Sequence, residues 1–484
     1  AELDELLIEA TFADMQAAME AAELTSVELT TWYLSRIAEQ DVAGFQSMNE
    51  LNPEALTIAA ALDEERAAGN VRGPIHGIPL SIKDNIGTGD QMHNTGGAAA
   101  LETAKADRDA FVAAKLREAG AVILAKANMS EWAGWMYPAQ PGFSALGGQS
   151  VNPLDPRLPV YGSSSGSAVS TSANLVAGSL GTETLGSLVA PAAINGVVGM
   201  HPSIGLVSRD RVIPLTDQTD TPGPLARSVT DAAILLTAIS GVDANDPMTA
   251  DAAALDGTDF TTFLDKDALH GKRVGLYLGV DKPEGLPDPL PADEVTGLLK
   301  QLGLDAGAAG LEAAGAEVVL VWGTAPDNNA EFFQLGHNGF RLGLADYMAA
   351  TEPSHPIKTA ADVVAFNEQD PATYAPYGQA PLVTAAMSDM SREDYVALGT
   401  KLRTDARAWL DGVLADQDLD AIAAPNQALA SAYAAAGYPA ITVPMSPAVG
   451  LTFTGGYLTD GEMIGMAYAY EQATQVRAGF AGAQ

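Results

Sequence analysis

Between Tyr161 and His201 three runs of small residues follow one another: Gly162-Ser-Ser-Ser-Gly-Ser167, Gly181-Thr-Glu-Thr-Leu-Gly-Ser187 and Pro191-Ala-Ala-Ile-Asn-Gly-Val-Val-Gly199. On a surface, a Ser/Gly run of this kind is a flexible linker. Here the flanks are rich in Ala and Val and belong in a core. Small residues in a buried stretch let the backbone come close to other backbone or to a ligand. Turns rich in Gly and Ser also expose successive N–H groups, which suit an anion or a developing oxyanion. The chain therefore has to fold around this stretch instead of stringing it between domains.

Helices and strands alternate on either side. Thr25-x-x-Glu28 is a capping box that opens a helix with Leu29, Tyr33 and Ile37 on one stripe. Asn52-Pro53 predicts a second helix, with Pro at its first position and Gly69 at its end. Residues 77–83, Gly-Ile-Pro-Leu-Ser-Ile-Lys, read as a short buried strand with a lysine at its C-terminal end. Asp109 to Glu118 reads as a helix stopped by Gly120, followed by a strand over 121–125. Further strands are expected at 272–278, 317–321, 420–424 and 440–443. This alternation predicts an α/β fold, a mixed twisted sheet with helices on both faces. A single domain over 1–484 is expected, with its core at about 70–230. A surface loop rich in Pro, Gly and Asp is expected at about 280–300, and a helical insertion at about 323–420.

Composition narrows the function classes. Lys and Arg number 25 against 61 Asp and Glu, a net charge of −36, while 47 % of residues are apolar. The apolar content excludes a disordered chain. The charge repels phosphate backbones and anionic lipid heads, so neither nucleic acid nor a membrane is expected as a partner. The chain has no cysteine, which excludes disulfides and thiolate metal sites, and no apolar run reaches the ~18 residues of a membrane span. The six histidines show no metal-ligand spacing with an acidic partner, so no metal and no cofactor is expected. The chain opens on Ala1-Glu2-Leu3. Removal of an export signal, and a soluble periplasmic or secreted location in preference to a cytoplasmic one, is the expectation; simple trimming is the alternative.

Two chemistries compete for the serines. Gly162-x-Ser164-x-Gly166 fits the nucleophile elbow of α/β-hydrolases, which requires a preceding strand and a late histidine. Asp155-Pro-Arg-Leu-Pro159 is a poor strand, and His355 is the last histidine, so that fit fails. The second chemistry pairs serine with lysine. A serine hydroxyl is a weak nucleophile and needs a base. A lysine serves when it is neutral, and burial disfavours its charged form. Lys83, at the end of an apolar strand, meets that condition.

On these residues the chain resembles the amidase signature family. The carrying blocks are Gly77-Ile-Pro-Leu-Ser-Ile-Lys83-Asp-Asn, Gly162 to Ser167, and Gly181 to Ser187 with Pro191-Ala-Ala. Lys126-Ala-Asn128-Met-Ser-Glu-Trp132, Asp220-Thr-Pro-Gly-Pro224 and Ala467-Tyr-Ala-Tyr-Glu471 support them. Through Ala-Ala-Ile-Asn-Gly and Ser208-Arg-Asp210 it is most similar to the bacterial peptide amidases. The resemblance implies a Ser–cisSer–Lys triad: Ser187 as nucleophile, Ser163 (after a cis peptide bond) as bridge, and Lys83 as base. It implies an oxyanion hole from the N–H groups of Thr184, Leu185, Gly186 and Ser187. Asn128, Gly162, Ser164 and Asp220 become candidate substrate contacts.

The implied activity is hydrolysis of linear carboxamides, C-terminal peptide amides or amino-acid amides, to acid and ammonia through a serine acyl-enzyme. Substrate and water are the only partners, on a monomer or homodimer. An aryl or aliphatic amidase, an esterase, and the ammonia-handling component of a tRNA-dependent amidotransferase are the alternatives within the same resemblance. A binding protein that kept the fold without the activity lies further off. Three positions depart from the family pattern. Leu185 stands where Gly or Asp is usual, Val189-Ala190 replaces a bulkier or charged pair, and Met200-His201-Pro202 replaces Leu-Lys-Pro.

Overall fold

Six runs expected as strands form strands, and five more complete the sheet. The computed structural model describes residues 2–287 and 289–477. In chain order the strands are β1 (Met48–Leu51), β2 (Pro79–Lys83), β3 (Val122–Ala127), a small hairpin of β4 (Phe143–Ser144) and β5 (Gly148–Gln149), β6 (Gly178–Glu183), β7 (Val198–His201), β8 (Thr221–Ala226), β9 (Arg273–Tyr277), β10 (Glu317–Val321), β11 (Ala421–Pro425), β12 (Ala440–Ser446) and β13 (Val449–Thr454). Outside the hairpin they join one sheet in the order β1-β3-β2-β6-β8-β7-β12-β13-β11-β9-β10. β2 runs parallel to β3 and β6, and β9 parallel to β10 and β11. The remaining neighbours are antiparallel, so the sheet is mixed.

Successive residues on a strand point to opposite faces, and both faces here are covered. On β11, Ala421 and Ala423 join one apolar cluster with Leu299, Leu311 and Tyr470. Ile422 and Ala424 join another, with Leu335, Leu402 and Tyr433. The first layer is carried by helices Ala292–Leu302, Asp305–Ala313 and Asp460–Thr474. The second is carried by Asn329–Thr351, Arg392–Asp416 and Ala430–Ala436. Between β10 and β11 the described chain is helical, and this segment also packs on Ala98, Leu101 and Trp132 through Phe340, Met348 and Leu382. Among the described residues no helix is long and apolar enough to cross a membrane.

Two local expectations are corrected. Residues 292–302 form a helix and not a loop: Asp293 and Glu294 lie in its first turn, Lys300 in its last, and Gly303 closes it in the left-handed conformation. The helix after Asn52-Pro53 begins at Ala55, because Asn52 Oδ1 accepts the Glu54 N–H (2.9 Å) and turns the chain first. β8 contains Pro222 and Pro224, which count against a strand. It forms because β6 pairs with it from Leu225 to Thr221, while β7 reaches only Leu225 and Ala226.

Candidate active site

Lys83 ends β2, the strand flanked by parallel neighbours, and is fully buried. The carboxyl ends of parallel strands are where α/β folds place ligands. Its Nζ lies 2.7 Å from Ser163 Oγ, 3.0 Å from Ser164 Oγ, 2.9 Å from Thr182 Oγ1 and 3.1 Å from Thr182 O. These neighbours are neutral, so they satisfy the amine without holding a positive charge on it. Burial pulls the amine down to about 7, against the opposing pull of the Asp220 and Glu183 charges. A neutral amine keeps one lone pair, and the shortest contact offers it the Ser163 hydroxyl.

Ser163 follows a cis peptide bond from Gly162. Gly162 has no room for a side chain: a Cβ there would meet Ser130 Oγ at 2.1 Å. The Ser130 N–H donates to Ser163 O (3.0 Å) and the Ser164 N–H to Ser187 O (3.1 Å), tying the serine loop to the turn that carries Ser187. Ser187 is only 8 % exposed and lies on the wall of a cleft of about 340 Å³.

That turn is organised by a residue without an expected role. The Glu183 carboxylate accepts the N–H groups of Gly186 (2.8 Å), Leu188 (2.7 Å) and Val189 (3.1 Å). The Gly186 N–H is thereby committed to Glu183, which corrects its expected place in an oxyanion hole. The signal for Glu183 was in the sequence: an acidic residue set in a buried glycine-rich turn has to be filled by hydrogen bonds.

The four candidate substrate contacts do not line the cleft. Asn128 is fully buried; its Nδ2 donates to Gln46 O (2.9 Å), and its Oδ1 accepts from Met129 N–H (2.8 Å) and Ser144 Oγ (2.7 Å). It braces loops. Ser164 Oγ donates to Thr182 O (2.9 Å) and accepts the Thr182 N–H (3.2 Å), so it supports the lysine, and the elbow alternative loses its serine to the interior. Gly162 serves the close approach to Ser130. Asp220 accepts from Thr184 Oγ1 (2.5 Å) and from the Leu215 (2.8 Å) and Thr216 (2.9 Å) N–H groups. Burial raises its carboxyl to about 6. Asp220 orients cleft-lining residues from behind.

The cleft itself is apolar. Trp135, Leu185, Leu215, Phe332 and Phe333 line it, Asn329, Thr184 and Thr216 add polar atoms, and among the described residues no lining side chain is charged. Leu185, a departure from the family pattern, is 37 % exposed at the cleft wall. His201, another departure, is buried, with its ring edge-on to Tyr433 at 5.2 Å.

Comparison with known proteins places this geometry. The Amidase family model matches residues 28–436. A peptide amidase from Stenotrophomonas maltophilia superposes with a TM-score of 0.88 at 40 % identity, over 98 % of this chain and 99 % of that one. A probable amidase from Arabidopsis thaliana is 37 % identical over 97 % of this chain and 91 % of its own length. One component of the glutamyl-tRNA(Gln) amidotransferase from Chloroflexus aurantiacus is 38 % identical, over 55 % of this chain and 53 % of its own length. With a family match across most of its length and an amidase fold end to end, this chain belongs to the amidase signature family and is an amide-hydrolysing enzyme.

Proposed function

We propose that the chain hydrolyses the C-terminal carboxamide of peptides and N-blocked amino-acid amides through an acyl-enzyme on Ser187. The observation that carries this reading is the fully buried Lys83 amine 2.7 Å from Ser163 Oγ, on the loop tied to Ser187. Neutral Lys83 takes the proton of Ser163 as Ser163 takes that of Ser187. Ser187 Oγ attacks the carbonyl carbon, and the oxyanion rests on the N–H groups of Thr184, Leu185 and Ser187. One such donor is worth roughly 3–4 kcal/mol. The C–N bond breaks as Ser163 passes a proton to the leaving nitrogen, and ammonia departs. Water, giving its proton to the same relay, attacks the ester and releases the acid.

The uncharged lining refines the substrate. A free α-ammonium next to the scissile amide would lose water without gaining a counter-ion. Peptide amides and N-acylated amides are therefore preferred over free amino-acid amides. The partial match to the amidotransferase component suggests an ammonia-handling role, but a net charge of −36 opposes docking of a tRNA. The expected state is a monomer or homodimer that needs neither cofactor nor nucleic acid.

Mass spectrometry on a peptide amide, an N-acetyl amino-acid amide, a free amino-acid amide, an anilide and an ester tests the reading. Release of ammonia from the first two by the isolated chain, and a covalent acyl adduct on Ser187, are expected. Cleavage of the anilide alone transfers the protein to the aryl amidases, and a requirement for a partner protein transfers it to the amidotransferase class.

A further inference from the structure

The helix Asn329–Thr351 lends Asn329, Phe332, Phe333 and Gly336 to the cleft lining and carries two more glycines, at 339 and 343, against the 214–216 segment. A Cβ at Gly336 would meet the Trp135 indole at 2.4 Å, one at Gly339 would meet Leu215 O at 2.8 Å, and one at Gly343 would meet Pro214 Cγ at 2.8 Å. Helix propensity favours alanine over glycine in such a position. At 336 the glycine makes room for a side chain from another segment. That segment is itself tightly turned: Trp132 and Ala133 hold φ of 53° and 58°, values non-glycine residues rarely adopt, and Gly134 follows at 84°. The turn sends Trp132 into the core against Phe340 (5.2 Å) and Trp135 to the cleft. The Trp135 ring stands edge-on to His337 (4.8 Å) and tilted on Phe333 (5.9 Å). Among the described residues its indole N–H has no hydrogen-bond partner, and ring packing sets the position of the ring.

We propose that the Trp135–Gly336 contact sets the width of the acyl side of the cleft, and that this side takes the uncharged aromatic or long aliphatic side chain of the residue bearing the scissile amide. This rests on the amide-hydrolase reading above. The space belongs to the same cleft as Ser187, its walls are Trp135, Leu185, Phe332 and Phe333, and its volume of about 340 Å³ is at the small end for ligand clefts. In so small a space one methyl group decides what fits. Trp135 and Gly336 are specificity-determining and take no part in bond making.

The test uses N-acetyl amides of Gly, Ala, Leu, Phe and Trp with wild type, Gly336→Ala, Trp135→Ala and the double variant. Wild type should favour Phe and Leu over Gly by about tenfold or more in kcat/KM. Gly336→Ala, which pushes the indole into the cleft, should lose about tenfold on Phe and Trp amides while the Gly amide changes less than about threefold. Adding Trp135→Ala to Gly336→Ala should restore the large substrates, a rescue that a misfolded single variant would not show. Binding of N-acetylphenylalanine by calorimetry should follow the same order without any turnover. A uniform loss across the series, or a failure of rescue, overturns the proposal. Ordered binding with no amide cleavage by wild type keeps the subsite and overturns the hydrolase reading instead.

Discussion

The two sides of the cleft are built from opposite materials. Behind Ser163, the Lys83 amine has four polar contacts within 3.1 Å and no exposure to solvent. Along the apolar lining, Leu185 and Phe333 are 37 % and 53 % exposed, and Trp135 is held by ring packing. Directional bonds in a dry environment hold a group within a few tenths of an ångström, which proton transfer requires. Dispersion contacts are individually weak and non-directional, so the other wall is free to vary in shape without disturbing the chemistry. Changes on the polar side should therefore cost rate for every substrate alike, and changes on the apolar side should cost rate for some substrates only.

The largest effect expected is that of Ser187→Ala: a loss of at least about 10⁴-fold in kcat on every amide tested, with an unchanged far-ultraviolet circular dichroism spectrum. Substrate-dependent residual activity would break the division between the walls. Lys83→Ala should follow at about 10³–10⁴-fold, and Ser163→Ala at somewhat less, again without regard to acyl size. The pH dependence belongs to the same side. In the proposed relay Lys83 works as the neutral amine, so kcat/KM should rise as pH rises through about 7 and level off above it. An acid limb that survives in Lys83→Met would assign it to another group.

Asp220→Asn sharpens the comparison, because Asp220 stands behind both sides. It removes a charge that raises the Lys83 amine, so the pH limb should move to lower pH. It also loosens Thr184 and the 215–216 backbone, for which a loss of about tenfold, ~1.4 kcal/mol of barrier, is expected. A limb that stays in place would mean that the Asp220 charge is not felt at Nζ. The smallest effect is that of Leu185→Gly. It should raise KM for large acyl groups by less than about tenfold and leave kcat on a small amide near wild type, since its N–H is retained. Steady-state kinetics on paired large and small substrates check it.

How far the sequence could be read follows from which interactions were local. The strand ending in Lys83 was readable because a short apolar run bounded by Gly77 predicts burial by itself. β6 was not: Gly178-Ser-Leu-Gly-Thr-Glu has weak strand propensity and becomes a strand because β2 and β8 pair on either side. The helix at 292–302 was hidden beside the Pro-, Gly- and Asp-rich stretch that precedes it. The serine blocks were conspicuous because Ser/Gly runs ordinarily mark exposed linkers, and these runs sit between apolar flanks. Asn128 and Asp220 were candidate substrate contacts through the motifs that carry the family resemblance, and sequence spacing could not reveal that their oxygens were already filled.

Residue types and their order determined that an amine and two hydroxyls would be available beside a glycine-rich turn, since those properties travel with each side chain and with the short motif around it. The tertiary structure decided which donors stay free, that Glu183 claims the Gly186 N–H, and that an indole from residue 135 rests on a glycine at 336. The indole–glycine contact joins segments about 200 residues apart in the chain, a separation that only packing of the whole molecule closes, whereas the Glu183–Gly186 bond spans three residues and follows from the conformation of the turn.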